Sequence, residues 1–208
     1  MRVVALGFLS IGVFLLLQTI LPVISFQFWQ IGQKLDSQKL ISPSQSGGQV
    51  LGISVQNKDN FSGFISNLKR ETNPPYNQFH LSVPKLKIDE TVYVDSNDLS
   101  KGLVHLPGSA LPGEKGNIFI SGHSSLNRFT PGQRAIFVKL TDLKKEDEIL
   151  VKAGGVNFKY RVTEIKVVAP DNLSVIPAPD ETGRYISLMT CVPPGFTYKR
   201  LVVLGKLI

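Results

Sequence analysis

Apolar side chains fill the start of the chain almost without interruption, and two changes of texture follow. From Val3 to Gln33 no residue is charged, and Leu6, Phe8, Leu9, Ile11, Val13, Phe14, Leu15, Leu16, Leu17, Ile20 and Leu21 crowd the first part. Length decides how to read this: about twenty such residues in a helix span the ~30 Å hydrocarbon core of a bilayer. A cleaved signal peptide has a shorter apolar core and a small-x-small cleavage site, which Leu21-Pro22-Val23-Ile24-Ser25 does not offer. Phe28 and Trp29 suit an interfacial belt. The pattern predicts an uncleaved transmembrane helix over 1–32. The flanking charges, Arg2 in front and Lys34, Asp36 and Lys39 behind, orient it only weakly. An N-terminal anchor ahead of one folded domain commonly holds that domain outside the cell.

Residues 33–78 have the texture of an extracytoplasmic tether. Ser42-Pro43-Ser44-Gln45-Ser46-Gly47-Gly48 is small, polar and aperiodic, and Asn73-Pro74-Pro75 punctuates the far end. Within it, residues 61–68 (Phe61-Ser62-Gly63-Phe64-Ile65-Ser66-Asn67-Leu68) could form a short helix that packs on the following domain.

From Phe79 to Ile208 the pattern becomes short apolar alternations broken by turn residues. Leu81, Val83, Leu86, Ile88, Val92 and Val94 start it, and β-type runs follow at Asn117–Ser121, Ile149–Lys152, Phe158–Val168, Tyr185–Thr190 and Arg200–Leu207. Pro107-Gly108, Pro112-Gly113, Pro131-Gly132, Gly154-Gly155 and Pro193-Pro194-Gly195 separate them. Many short strands at such spacing predict an all-β sandwich or barrel over 79–208, with single helical turns near Asn97–Lys101 and Leu140–Lys144. About 130 residues are enough to bury one core.

Charge and metal chemistry change this picture little. The chain of 208 residues carries a formal net charge of +7. The basic excess is spread over small clusters such as Lys85/Lys87 and Lys199/Arg200, without a long basic run or a basic stripe interleaved with aromatics. That argues against nucleic acid as a partner. No His-x-x-x-His, Cys-x-x-Cys or Asp-rich loop is present, so no metal cofactor is expected. Asp142, Glu146, Asp147 and Glu148 read as a solvated loop, from which no calcium site can be argued.

Cysteine changes it a great deal. The sequence has one, Cys191, in Leu188-Met189-Thr190-Cys191. An unpaired thiol outside the membrane is a liability unless its reactivity is used. The runs ending at Cys191 and beginning at Arg200 are joined by a connection that suits a hairpin with a wide loop. Antiparallel pairing would then oppose the thiol and the guanidinium, with Cβ atoms about 5 Å apart. A planar fork of donors suits a developing oxyanion better than the point charge of Lys199 does. Of the three histidines, His80 reads as an ordinary edge residue and His105, among apolar neighbours, as a packed and hydrogen-bonded one. His123 ends an apolar strand after Gly122, whose freedom could turn it into a cleft. Ser121, Ser124 and Ser125 do not make a serine hydrolase, because no Gly-x-Ser-x-Gly elbow is present.

These pieces, taken in order, resemble the sortases, membrane-anchored cysteine transpeptidases of bacterial surfaces. Leu188-Met189-Thr190-Cys191 resembles the family's Leu-x-Thr-Cys signature, and Arg200 in Arg200-Leu201-Val202-Val203 matches the arginine that follows it. Gly116 to His123 resembles the strand leading to the family histidine, and His105-Leu106-Pro107-Gly108-Ser109-Ala110 and Pro112-Gly113-Glu114 the segment before it. The resemblance runs from about Leu81 to Ile208. It implies a closed eight-stranded β-barrel with short helices in which Cys191, His123 and Arg200 meet at one groove. Cys191 would attack a sorting signal of the Leu-Pro-x-Thr-Gly type and His123 would serve as acid, then base. Arg200 would hold substrate and oxyanion, with Thr190 and Ser121 at the substrate. An amine of peptidoglycan or of another surface protein would resolve the thioacyl enzyme. The partners implied are surface proteins with a C-terminal sorting signal, the acceptor amine and the bacterial cell membrane, crossed once with the catalytic domain extracellular. The sortase class stays open, and the Val168–Arg184 connection is expected to form part of the groove wall. Two other readings of the residues stand beside this one. One is an L,D-transpeptidase, although the Ser-His-Gly-Cys pattern of that class is missing around Cys191. The other is a tethered β-barrel that binds a peptide without catalysis.

Overall fold

The computed structural model describes residues 9–18, 20–21, 24, 53–58, 61–66, 73–125 and 134–208. The chain divides into two compact units, residues 1–44 and 45–208. In the first, residues 9–18, 20–21 and 24 are helical. Among the described residues no helix is long and apolar enough to cross a membrane, so the transmembrane helix expected over 1–32 is not borne out. The greater part of that expectation, like residues 33–52 of the tether, lies outside the described residues.

The second unit holds a closed barrel of eight strands. In chain order the described strands are β1 (Ile53–Lys58), β2 (Phe61–Ser66), β3 (Gln78–Val83), β4 (Ile88–Tyr93), β5 (Leu103–His105), β6 (Gly116–Ser121), β7 (Glu148–Ala153), β8 (Val156–Val168), β9 (Arg184–Val192) and β10 (Lys199–Leu207). The barrel order is β10-β8-β7-β3-β4-β5-β6-β9, closed by β9 pairing with β10. Neighbours are antiparallel except β4 with β5 and β6 with β9, which run parallel. Single 3₁₀ turns at Leu99–Lys101 and Leu140–Asp142 fall where helical turns are expected.

Side-chain alternation explains the strands. In β3 and β7 every second residue is buried, as it should be in a strand with one face on a core. β9 differs, because eight of its nine residues are buried, from Tyr185 through Val192. A strand covered on both faces reads as a continuous apolar run. Leu81, Leu103, Ile120, Phe137, Ile149, Tyr160, Ile186, Leu188, Leu201 and Val203 are fully buried. Truncating one such aliphatic side chain typically costs about 2–5 kcal/mol.

Of the segment 61–68, expected as a short helix, Phe61–Ser66 is instead the strand β2, paired antiparallel with β1 from Ile53↔Ser66 to Lys58↔Phe61, and residues 67–68 lie outside the described residues. Gly63 and the β-branched Ile65 weaken a helix here, and the deciding factor is the antiparallel pairing with β1 just upstream. The stretch expected as a bare tether over 33–78 therefore contains a hairpin. That hairpin is packed: Phe64 joins a buried cluster on the barrel, and its ring lies 5.7 Å from that of Phe119.

Candidate active site

Three neighbouring strands build the site, with β9 in the middle. On one side β10 pairs with β9 so that Arg200 is the direct partner of Cys191. Partners in an antiparallel ladder project to the same face with Cβ atoms about 5 Å apart. On the other side β6 runs parallel to β9 with Ser121 opposite Met189. Two bonds carry that pairing beyond the last residue of β6. Gly122 N donates to Met189 O at 3.1 Å, and Thr190 Oγ1 donates to Gly122 O at 2.8 Å. His123 thus follows directly on Gly122, which is tied to Met189 and Thr190, the two residues before Cys191.

Gly122 matters here through space rather than through conformational freedom. A Cβ on it would come within 2.5 Å of Leu103 Cδ2 and 2.7 Å of Phe137 Cδ2, both on fully buried side chains. The strand end can sit this close to the core only without a side chain. Phe137 N then donates to His123 O at 2.9 Å and fixes the histidine from behind.

Parity assigns the two faces of the strip. Phe119, Met189, Cys191 and Val202 cluster with Phe64, Leu106 and Ile176, which come from outside the barrel strands, and Leu99, Val168, Leu173 and Val175 pack around them. The outer face of β6–β9–β10 therefore carries the thiol, and Arg200 lies on the same face. Cys191 is 4% exposed and Arg200 is fully buried. Arg200 Nη1 donates to Thr197 O at 2.9 Å and to Lys199 O at 3.0 Å, so the turn before β10 holds the guanidinium. Burial pushes the Cys191 thiol up to about 11, and the Arg200 guanidinium pulls in the opposite direction. Burial likewise lowers the Arg200 pKa, against the pull of Cys191. Buried in this way, Cys191 is held as the neutral thiol.

The other residues singled out in the sequence divide cleanly. Thr190 is buried, and its hydroxyl donates to Gly122 O, which ties β9 to the turn before His123. Ser121 is buried on the outer-face row opposite Met189. His105 is fully buried; its Nδ1 lies 3.2 Å from Asp95 Oδ1, and its Nε2 2.8 Å from Ser109 Oγ and 3.0 Å from Ala110 O. Asp95, His105 and Ser109 look like a hydrolytic triad, but Ser109 Oγ donates to Leu106 O and accepts from Phe119 N. The trio braces β5 against β6. Ser124 Oγ, buried beside His123, has no hydrogen-bond partner among the described residues, so no serine–histidine pair forms there. No group of three metal-ligating side chains occurs among the described residues.

Two features of the site escaped the sequence reading. Phe64 sat in what looked like a tether. Asn117 and Ser187 form a buried polar pair on the outer face: Asn117 Nδ2 donates to Ser187 Oγ at 2.9 Å and to Ile176 O at 2.8 Å. A polar residue at an outer-face position of a strand otherwise apolar was the available signal for Asn117. These bonds fasten the β8–β9 connection, whose far end is held by the Tyr185 hydroxyl donating to the Asp180 carboxylate. Ile176 of that connection joins the buried cluster that holds Cys191, and Leu173 and Val175 pack against it.

Comparison with known proteins decides the family. The Sortase domain profile matches residues 81–208, well over half of the chain. The chain belongs to the sortase family. It is 30% identical over 133 residues to Sortase D of Bacillus subtilis, a match covering 61% of this chain and 61% of that protein. Sortase A of Bacillus anthracis is 28% identical over 130 residues, covering 62% of this chain and 58% of the relative. The match thus spans about three fifths of these relatives' length. Among solved structures, Sortase A from Corynebacterium diphtheriae superposes with a TM-score of 0.56 at 33% identity, covering 64% of this chain and 61% of that one. Clostridium perfringens sortase C, solved with the C-terminal cell wall sorting motif, gives a TM-score of 0.55 at 28% identity, with 62% and 69% covered. Sortases are cell-envelope proteins that anchor surface proteins by transpeptidation, and types A, C and D all appear among the relatives.

Proposed function

We propose that this sortase is a cysteine transpeptidase that cleaves a Leu-Pro-x-Thr-Gly-like sorting signal and passes the acyl part to an amine of the cell wall or of another surface protein. The observation that carries the reading is the ladder pairing of Cys191 with Arg200, alongside the histidine turn of β6. Cys191 Sγ attacks the carbonyl carbon of the scissile amide, and its proton passes to His123. The Arg200 guanidinium meets the charge that develops on the carbonyl oxygen. Collapse breaks the C–N bond, His123 protonates the leaving amine, and a thioester remains on Cys191. An incoming amine, deprotonated by His123, attacks that thioester and releases the thiol. Splitting amide exchange in this way keeps the bond energy in a thioester, provided water is kept away.

The uncharged stretch from Val3 to Gln33 supports attachment of this domain to the outer side of a bacterial cell membrane through an N-terminal helix. Thr190 acts by holding the histidine turn, and Ser121 lines the face where a peptide would lie. The test is to incubate the full-length chain with such a peptide and a small amine and to weigh the products. Exchanged product with the native chain and none with Cys191→Ala is expected. Equal turnover by Cys191→Ala removes the covalent mechanism, whereas binding without exchange by the native chain leaves a peptide-binding barrel.

A further inference from the structure

We infer that Asn117 is a positioning residue for the peptide step: its buried amide sets where the β8–β9 connection stands beside Cys191, and so which peptide side chain fits there. The substrate part of the inference rests on the peptide-transfer reading, while the fastening itself stands on geometry.

The connection runs from the end of β8 at Val168 to the start of β9 at Arg184, and between them it belongs to no strand. A segment without a ladder must find partners for its buried backbone groups one at a time. Its middle is a single 3₁₀ turn, Leu173–Val175, shaped by local bonds: the Asn172 side chain accepts from Ser174 N, and Ile176 N donates to Leu173 O. These bonds form the turn without placing it on the barrel. Ile176, 6% exposed, closes the turn, and its buried carbonyl needs a donor. Asn117 Nδ2 supplies one at 2.8 Å from the outer face of β6.

The direction of that amide is fixed. A carbonyl can only accept, so the nitrogen of Asn117 faces Ile176. Ser187, fully buried on the neighbouring strand β9, holds the amide in place: its Oγ accepts from Asn117 Nδ2 at 2.9 Å and donates to Asn117 Oδ1 at 3.1 Å. Two barrel strands thus reach out through one locked amide to grip one carbonyl of the connection. What that grip positions is the wall beside the thiol, because Ile176 shares a buried cluster with Met189 and Cys191, and Leu173 and Val175 pack against it. Among the described residues, the other bonds that fasten the connection lie at its far end: Gly116 N donates to Gly183 O at 2.9 Å, and the Tyr185 hydroxyl donates to the Asp180 carboxylate. They leave the placing of Ile176 to Asn117. An apolar side chain that packs beside Cys191 meets this wall, and one methylene in an apolar site changes preference by about 10–200-fold when the walls are firmly held.

The experiment uses the full-length chain and two readouts. The first is thermolysin cleavage within Leu173–Ile176, mapped by mass, which needs no assumption about the substrate. Asn117→Ala removes the donor and is expected to raise the cleavage rate by about tenfold or more, the scale of an unmatched buried acceptor. Ser187→Ala keeps the bond to Ile176 but frees the amide, and should fall in between. Melting curves confirm that the barrel stays folded, and the Ser187→Ala arm carries the test if Asn117→Ala does not fold. The second readout is peptide exchange with Leu-Pro-x-Thr-Gly and its Val-Pro-x-Thr-Gly analogue, which differ by one methylene. Asn117→Ala should raise KM for the leucine peptide by about tenfold and shrink the preference for it over the valine peptide, with KM for the acceptor amine unmoved. Unchanged cleavage overturns the inference. So does a lower melting temperature with the peptide preference intact, which would make Asn117 a structural residue only. Faster cleavage in the variants with no peptide exchange by the native chain leaves the fastening in place and sinks the transpeptidase reading instead.

Discussion

The inner and outer faces of the β6–β9–β10 strip share a backbone but follow different rules. Inward go Ile118, Ile120, Ile186, Leu188, Leu201 and Val203, all at most 1% exposed and nearly uniform in chemistry. Outward go Asn117, Phe119, Ser121, Ser187, Met189, Cys191, Arg200 and Val202, also buried, yet mixing amide, hydroxyl, thiol and guanidinium. The barrel itself shields the inner face, so a regular alternation suffices to specify it. Segments from elsewhere in the chain shield the outer face, and each buried polar group there has to be matched by one of them. Stability is concentrated on one side of the sheet and reactivity on the other.

The largest effects are expected where the outer face meets its chemistry. Arg200→Met should lower peptide exchange by about 10²–10³-fold, the usual cost of an oxyanion donor. Because a buried charge is replaced by an apolar side chain of similar length, the melting temperature should hold or rise. Steady-state kinetics and a thermal melt on one preparation decide both points, and a large loss of stability would move Arg200 from the reactive side of the comparison to the structural one.

A matched pair of truncations comes next. Leu188→Ala, on the inner face, should cost about 2–5 kcal/mol in denaturant unfolding and leave KM unmoved in the fraction that folds. Met189→Ala, one residue on and facing outward, should cost less stability and raise peptide KM. Equal behaviour of the two would erase the distinction between faces. Gly122→Ala tests the seam between them. Overpacking against Leu103 and Phe137 should cost about 1–3 kcal/mol, and because the same turn delivers His123, kcat should fall more than the stability loss explains.

The smallest expected effect is a pH dependence. In the covered state the thiol titrates near 11, above the ordinary value of 9.0. Between those values the unfolded chain has already lost the proton that the folded chain keeps, so folded stability should decline as pH rises from about 9 to 11 and level off beyond. Urea midpoints compared between the native chain and Cys191→Ala across that window isolate the contribution, and parallel curves would mean that the thiol is solvated in the folded chain.

The sequence reveals one of these faces far better than the other. Cys191 opposite Arg200 was readable because both lie on strands joined by one short loop, so local chain length alone proposes the pairing. The approach of His123 depends on β6 lying parallel to β9, a contact across some 68 residues that no local pattern encodes; the family resemblance supplied it. Thr190 was expected at the substrate because strand parity cannot be fixed without knowing which face is the barrel interior. Residues 61–66 form a strand where a short helix was expected, because Phe61, Phe64 and Ile65, spaced i, i+3, i+4, also fit one face of a helix until the pairing partner is known. Burial of the thiol was unreadable for the same reason: the residues packed over it, Phe64, Leu106 and Ile176, come from three separate parts of the chain.

The clamp on Arg200 carries one more consequence. Surface loops ordinarily absorb an inserted residue at little thermodynamic cost. The Pro193–Tyr198 connection is different, since the carbonyl of Thr197 within it and that of Lys199 just after it grip the guanidinium. Lengthening this exposed turn would retune the charge beside the sulfur without touching a single core side chain, making a surface stretch of chain a fine adjustment for the chemistry beneath it.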